Sequence, residues 1–230
     1  MIKYYCSSVA SPDGYTSVVA SCLKEDLKDT KRIVFIPANP EDLMETSRQI
    51  DKHLNYFKMI DITFESVIDI TKEITKNNLK EIIINADLIM LLGGNPLIQM
   101  DYLIEHGLDT LIKQYDNVIM GFSAGAMCMS KYIIITPCSE EYPIEVIKDG
   151  MNLSDITIFP HFNISKINQE TIDNEDEVIC VNDIKEVSTK IGEIYLLTDI
   201  PKSCIIRVLD NIEILDGQAY KMIEGSLEII

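Results

Sequence analysis

A chain of 230 residues, 47% hydrophobic and only 7% aromatic, carries enough Ile, Leu, Val and Met to bury a globular core. Its 37 acidic and 20 basic side chains leave a formal net charge of −17, which repels phosphate backbones and anionic headgroups, so neither nucleic acid nor a membrane surface is an expected partner. No run approaches the ~18 consecutive apolar residues of a spanning helix, and the opening segment MIKYYCSSVASPDGY lacks the apolar stretch of a secretory signal, so the cytoplasm is the expected compartment.

Short apolar runs alternate with longer amphipathic segments, the pattern of a mostly parallel sheet covered by helices. The predicted strands are IKYYCSS (2–8), RIVFIPA (32–38), KMIDITF (58–64), DLIMLLGG (87–94), NVIMGF (117–122), YIIIT (132–136), TIFPHF (157–162) and EIYLLTD (193–199). Helical spacing covers Tyr15 to Leu27, Glu41 to Phe57 and Pro96 to Tyr115, with Gly107 the candidate break. Unbroken apolar runs such as LIMLL and RIVFI belong at the sheet centre, buried on both faces. Beyond residue 203, turn pairs Asp210-Asn211 and Asp216-Gly217 punctuate short strands, predicting antiparallel hairpins that close the sheet edge. The chain shows no repeat, low-complexity tract or linker, so 1–230 is read as one three-layer α/β domain.

Six cysteines, Cys6, Cys22, Cys128, Cys138, Cys180 and Cys204, are scattered without a CxxC pair or zinc-ligand spacing. They read as small buried apolar side chains in a reducing compartment, with no metal and no cofactor expected.

GFSAGA (121–126) fits the G-x-S-x-G nucleophile elbow, in which a strand turns sharply into a helix and leaves a hydroxyl exposed above the sheet. Gly121 and Gly125 would keep side chains out of that tight turn, and the N–H of Ala124 could serve as an oxyanion donor. An N-cap role explains Ser123 but not the small residues around it. The LLGGN loop (91–95) ends another central strand: Asn95 suits an N-cap, Pro96 the first helical position, and Gly93 and Gly94 let backbone amides approach a ligand. Loops at the carboxyl ends of parallel strands can share one crevice, so this loop and the elbow are expected to face each other.

A serine nucleophile needs a base, and the chain holds three histidines. His53 lies in an amphipathic segment and His106 at a helix end, both structural or surface positions, whereas His161 ends the apolar run TIFPHF and is the best base. The orienting acid is expected to be Asp199, which ends the strand EIYLLTD, with Glu193 and Glu186 in reserve. The acidic run DNEDE (173–177) reads as a solvated face or loop.

On these segments, LLGGN, GFSAGA, PHF and the acid before the last hairpins, the sequence resembles the dipeptidase E and cyanophycinase family of serine peptidases. That resemblance implies a class I glutamine amidotransferase-like, flavodoxin-like fold with Ser123 as nucleophile, His161 as base and an oxyanion hole near Gly94 and Ala124. It also implies a small-peptide substrate and no metal, with a monomer or homodimer as the expected state. Aspartyl dipeptidases of the family carry glutamate as the acid, one methylene longer than Asp199. They also use an arginine after the histidine to hold an acidic side chain. Here the only arginines are Arg32, Arg48 and Arg207, leaving Lys166 or Lys131 as point charges. Two other readings stay open: an esterase or amidase with the same triad, and a catalytically silent binding or regulatory protein.

Overall fold

The computed structural model describes residues 3–8, 13–28, 31–72, 78–137, 144–163, 181–199 and 204–230. In chain order its first half comprises β1 (Lys3–Ser7), α1 (Ser17–Asp26), β2 (Arg32–Ile36), α2 (Leu43–Met59), β3 (Ser66–Asp69), α3 (Leu79–Ile84), β4 (Leu88–Leu91), α4 (Pro96–Glu105), α5 (Leu108–Ile112), β5 (Val118–Phe122) and α6 (Ala124–Met129). Side chains of the central strands alternate between two cores, as the two-residue period of a strand requires. Ile33, Phe35, Leu88, Met90, Val118 and Met120 meet Val19, Leu23, Ile50 and Phe57 of α1 and α2. Val34, Ile36, Ile89, Leu91 and Ile119 meet α3 to α6 on the opposite face. The layers are helix, sheet, helix.

The second half adds β6 (Tyr132–Ile135), β7 (Val146–Asp149), β8 (Ile158–Phe162), α7 (Val181–Ile191), β9 (Ile194–Thr198), β10 (Ile205–Val208), β11 (Ile212–Asp216), β12 (Ala219–Ile223) and β13 (Ser226–Ile229). The main sheet is seven-stranded, in the order β11-β10-β1-β5-β4-β2-β3. Its β1, β5, β4, β2 and β3 run parallel, and the antiparallel hairpin β10–β11 closes the edge beside β1, as expected. The runs TIFPHF and EIYLLTD do not join it. As β8 and β9 they pair in parallel within a four-stranded sheet, β13-β12-β9-β8, while β6 and β7 form a two-stranded sheet. Ile158, Tyr195, Leu197 and Ala219 nevertheless pack into the same core as β2, β4 and α3 to α6, which joins the second sheet to the first.

One expected strand is a helix exit instead. In KMIDITF, Lys58 and Met59 finish α2 and Asp61 takes the left-handed region at φ 58°. The Asp61 N–H donates to the Lys58 carbonyl (3.1 Å) and the Ile62 N–H to the Phe57 carbonyl (2.9 Å), the paired bonds of a Schellman cap whose following apolar residue, Ile62, is buried. The strand itself, β3, begins at Ser66. Pro96 to Tyr115 splits into α4 and α5 at Gly107, whose φ of 65° breaks the helix as expected.

Strand order reverses between β2 and β4, because the chain leaves β2 for β3 on one side and resumes at β4 on the other. Ligands of open α/β sheets bind at such a point, outside the carboxyl ends of the strands. A cleft of about 440 Å³ opens there, lined by residues that include Ala38, Asp42, Gln49, Gly93, Gly94 and Asn95.

Candidate active site

Ser123 follows β5 with φ 48° and ψ −110°, outside the small left-handed basin open to L-residues. Such a conformation costs about 1–3 kcal/mol and persists only where the surroundings over-determine it. Here the Ser123 N–H donates to the Ser7 carbonyl at 2.8 Å, extending the β1–β5 ladder, and the Ser123 carbonyl accepts from the Met127 N–H at 3.0 Å, starting α6. The glycines leave room for the turn: a Cβ on Gly121 would stand 2.7 Å from the Ala126 nitrogen, and one on Gly125 2.7 Å from the Leu91 Cβ and closer still to the Leu91 carbonyl oxygen. The serine hydroxyl makes no capping bond to α6. Instead Oγ lies 2.7 Å from His161 Nε2.

His161 reaches the elbow by a route the strand pattern did not predict. It sits within β8 rather than at its end, at φ 60°, where the register against β9 shifts between Phe159 and Phe162. Pro160 has no N–H for the ladder, and a bulge at such a residue re-aims the next side chain. Phe162 then pairs with Thr198, so His161 and Asp199 flank one rung of the sheet. His161 Nδ1 lies 2.7 Å from Asp199 Oδ2. A carboxylate only accepts, so Nδ1 carries the proton and Nε2 is left to accept from the serine hydroxyl. Both side chains are about one-third exposed or less, at 27% and 32%, so a substrate can reach them.

The reserve acids are engaged elsewhere: Glu193 pairs with Lys221 and Glu186 with Lys190. His53 is buried, tilted against Phe122 at 4.4 Å between ring centroids, and burial holds it down to about 3. His106 caps α4 against Tyr102. Cys128 is buried, with Sγ 3.3 Å from the Pro96 carbonyl, and burial pushes its thiol far up. The run DNEDE and Lys166 lie outside the described residues, and Lys131 is paired with Asp155.

The LLGGN loop borders the elbow. A Cβ on Gly93 would lie 3.5 Å from the Ser123 Cβ, and Gly94, at φ 144°, comes so near that its own would meet the Ala38 Cβ at 2.8 Å. Asn95 caps α4 by accepting from the Leu97 and Ile98 N–H groups. Among the described residues, neither the Gly94 nor the Ala124 N–H donates to another backbone group. Two supporting contacts escaped the sequence reading. The Ser8 hydroxyl donates to the Thr198 carbonyl (2.9 Å) and accepts from the Cys204 N–H (3.1 Å), tying β1 to the strand that delivers Asp199. Gln49 Nε2 donates to the Gly93 carbonyl at 3.2 Å. Among the described residues no group of three or more His, Cys, Asp or Glu is arranged to hold a metal, and no helix is long and apolar enough to cross a membrane.

A strained serine between strand and helix, above the carboxyl edge of a parallel sheet and bonded to an imidazole, is the architecture of a serine hydrolase. The chain belongs to peptidase family S51, whose sequence model matches residues 5–197, and is a serine-type peptidase. Its fold is similar to that of a peptidase from an acI-B1 actinobacterium, with TM-score 0.64 and 15% identity over 99% of this chain and 96% of that one. It is also similar to a protein described as peptidase E from Listeria monocytogenes EGD-e, with TM-score 0.59 and 19% identity over 93% of this chain and 98% of that one. No curated protein sequence matches significantly.

Proposed function

We propose that the protein hydrolyses small peptides through an acyl-enzyme, with Ser123 as nucleophile, His161 as general base and acid, and Asp199 as the orienting carboxylate. The observation that carries this reading is the continuous relay of two 2.7 Å contacts, Ser123 Oγ to His161 Nε2 and His161 Nδ1 to Asp199 Oδ2. Ser123 Oγ bonds to the substrate carbonyl carbon as its proton passes to Nε2. The N–H groups of Gly94 and Ala124 receive the oxyanion. Collapse of the tetrahedral adduct breaks the C–N bond, the departing amine takes the proton from Nε2, and the acyl group stays on Oγ. Water then attacks the ester, gives a proton to Nε2, and releases the acid as serine regains its hydrogen. Gly93, which borders Ser123, and Asn95, whose side chain caps α4, line the cleft beside the elbow and are assigned to substrate contact.

Arg48 is bound to Glu45, Arg207 to Asp26 and Glu213, and Arg32 opens β2, at the end of the parallel sheet opposite the elbow. That supports a substrate other than one with an N-terminal aspartate. The core shared by the two sheets supports a single domain, and the free thiols of Cys6, Cys22, Cys128 and Cys204 among the described residues support a reducing, cytoplasmic setting. A dipeptide panel run beside p-nitrophenyl esters tests the proposal. Dipeptide turnover should fall about 10⁴-fold or more in Ser123→Ala, with Tm within about 4 °C of wild type. Ester turnover without any peptide cleavage would overturn it.

A further inference from the structure

The peptide between Gly93 and Gly94 joins two residues without side chains, so little intrinsic stiffness sets the direction of its plane. A peptide is planar and trans, so the Gly93 carbonyl and the Gly94 N–H point in opposite directions. Whatever holds the carbonyl therefore aims the N–H. Gln49, half-buried on α2, donates from Nε2 to that carbonyl at 3.2 Å, and from the same nitrogen to Glu45 Oε1 at 2.8 Å. Both partners only accept, which fixes which end of the amide faces them. Glu45 is itself clamped by Arg48, Nε to Oε2 at 2.7 Å and Nη2 to Oε1 at 2.6 Å. The carbonyl is thus drawn toward α2, while the other flank of the loop, at Gly93, borders Ser123.

We propose that Gln49 is a positioning residue: by holding the Gly93 carbonyl on the α2 side it aims the Gly94 N–H at the developing oxyanion, with Glu45 and Arg48 as its anchor. This rests on the Ser123 reading above. Turning the plane over would set a carbonyl where the transition state needs a donor, so losing Gln49 weakens the chemical step more than substrate binding.

The test compares wild type, Ser123→Ala, Gln49→Met and Gln49→Lys by p-nitrophenyl acetate kinetics, fluorophosphonate labelling rate and melting temperature. Methionine keeps the length without the donor, and lysine restores a donor that can also pair with Glu45. Gln49→Met should lower kcat about 10- to 100-fold, with KM within about twofold and a labelling rate reduced in step with kcat. Gln49→Lys should recover most of that loss. A merely structural residue would change Tm without this division between kcat and KM. Wild-type kcat and labelling in Gln49→Met, or a lysine variant no better than methionine, overturns the assignment while leaving Ser123 in place. Wild-type labelling no greater than that of Ser123→Ala would remove the nucleophile and this inference together.

Discussion

Adding one methyl group at Gly125 should disable the elbow without touching a reactive atom. The Cβ of Gly125→Ala would stand 2.7 Å from the Leu91 Cβ and 2.8 Å from the Leu91 carbonyl carbon, against 3.4 Å for ordinary contact, a shortfall of about 0.7 Å. Leu91 belongs to the central strand β4, which is paired on both sides, so its backbone cannot retreat and α6 must move outward. Overpacking of this kind costs about 1–3 kcal/mol. At about 2–4 °C per kcal/mol for a chain of this size, Tm should drop by about 2–12 °C. The same displacement carries Ser123 away from His161, and misplacement near 1 Å costs about 100-fold in rate. Melting curves and the fluorophosphonate labelling rate read the two effects separately. Gly107→Ala is the control, because nothing lies within 4 Å of the added Cβ and only its φ of 65° is strained. It should lose about 1–2 kcal/mol of stability and label as wild type. A Gly125→Ala protein with unchanged Tm and labelling rate would refute the close-packing argument for the elbow.

Asp199→Asn should lower kcat about 10³- to 10⁴-fold with little change in Tm, since the amide can donate to Nδ1 and favour the wrong tautomer; steady-state kinetics beside a melt decide it. His53 supplies a pH dependence of stability. Its folded value near 3 lies below the ordinary 6.5, so the unfolded chain takes up the proton first and stability is lost as pH falls from about 6.5 toward 3. Denaturant melts at pH 7 and pH 5 should show wild type losing about 2 kcal/mol more than His53→Phe, and parallel losses would contradict that. Native alkylation with iodoacetamide should modify half-exposed Cys22 well before buried Cys6, Cys128 and Cys204. Peptide mapping reads the order, and early reaction at Cys128 would contradict its packing role.

The features legible in the sequence are those whose demands are local. The elbow announces itself because a strained serine needs small neighbours within two residues, and both glycines proved to be sterically required. Asn95 and Pro96 marked the start of α4 for reasons of capping alone. His161 and Asp199 stood out as polar ends of apolar runs, and the rung Phe162–Thr198 explains why the two meet. Sheet membership was not legible, because apolar runs look alike whichever partner they pair with; β8 and β9 therefore read as further strands of one parallel sheet. The bulge that aims His161 was not foreseen, although Pro160, which has no N–H for the ladder, was its local trace. KMIDITF misled because a Schellman exit and a strand both want apolar residues flanking a polar one. Gln49 left a fainter trace: it lies beside Thr46, Ile50 and His53 on the buried face of α2, where a polar amide needs a partner. Ser8 had no local signature at all, since its bonds go to residues nearly two hundred positions away.

Whether Ser123 is the nucleophile is decided by mass spectrometric mapping of the fluorophosphonate adduct. One adduct is expected, on the peptide that contains Ser123, absent in Ser123→Ala and formed far more slowly in His161→Ala. An adduct on another residue, or one that persists undiminished in Ser123→Ala, would contradict that role.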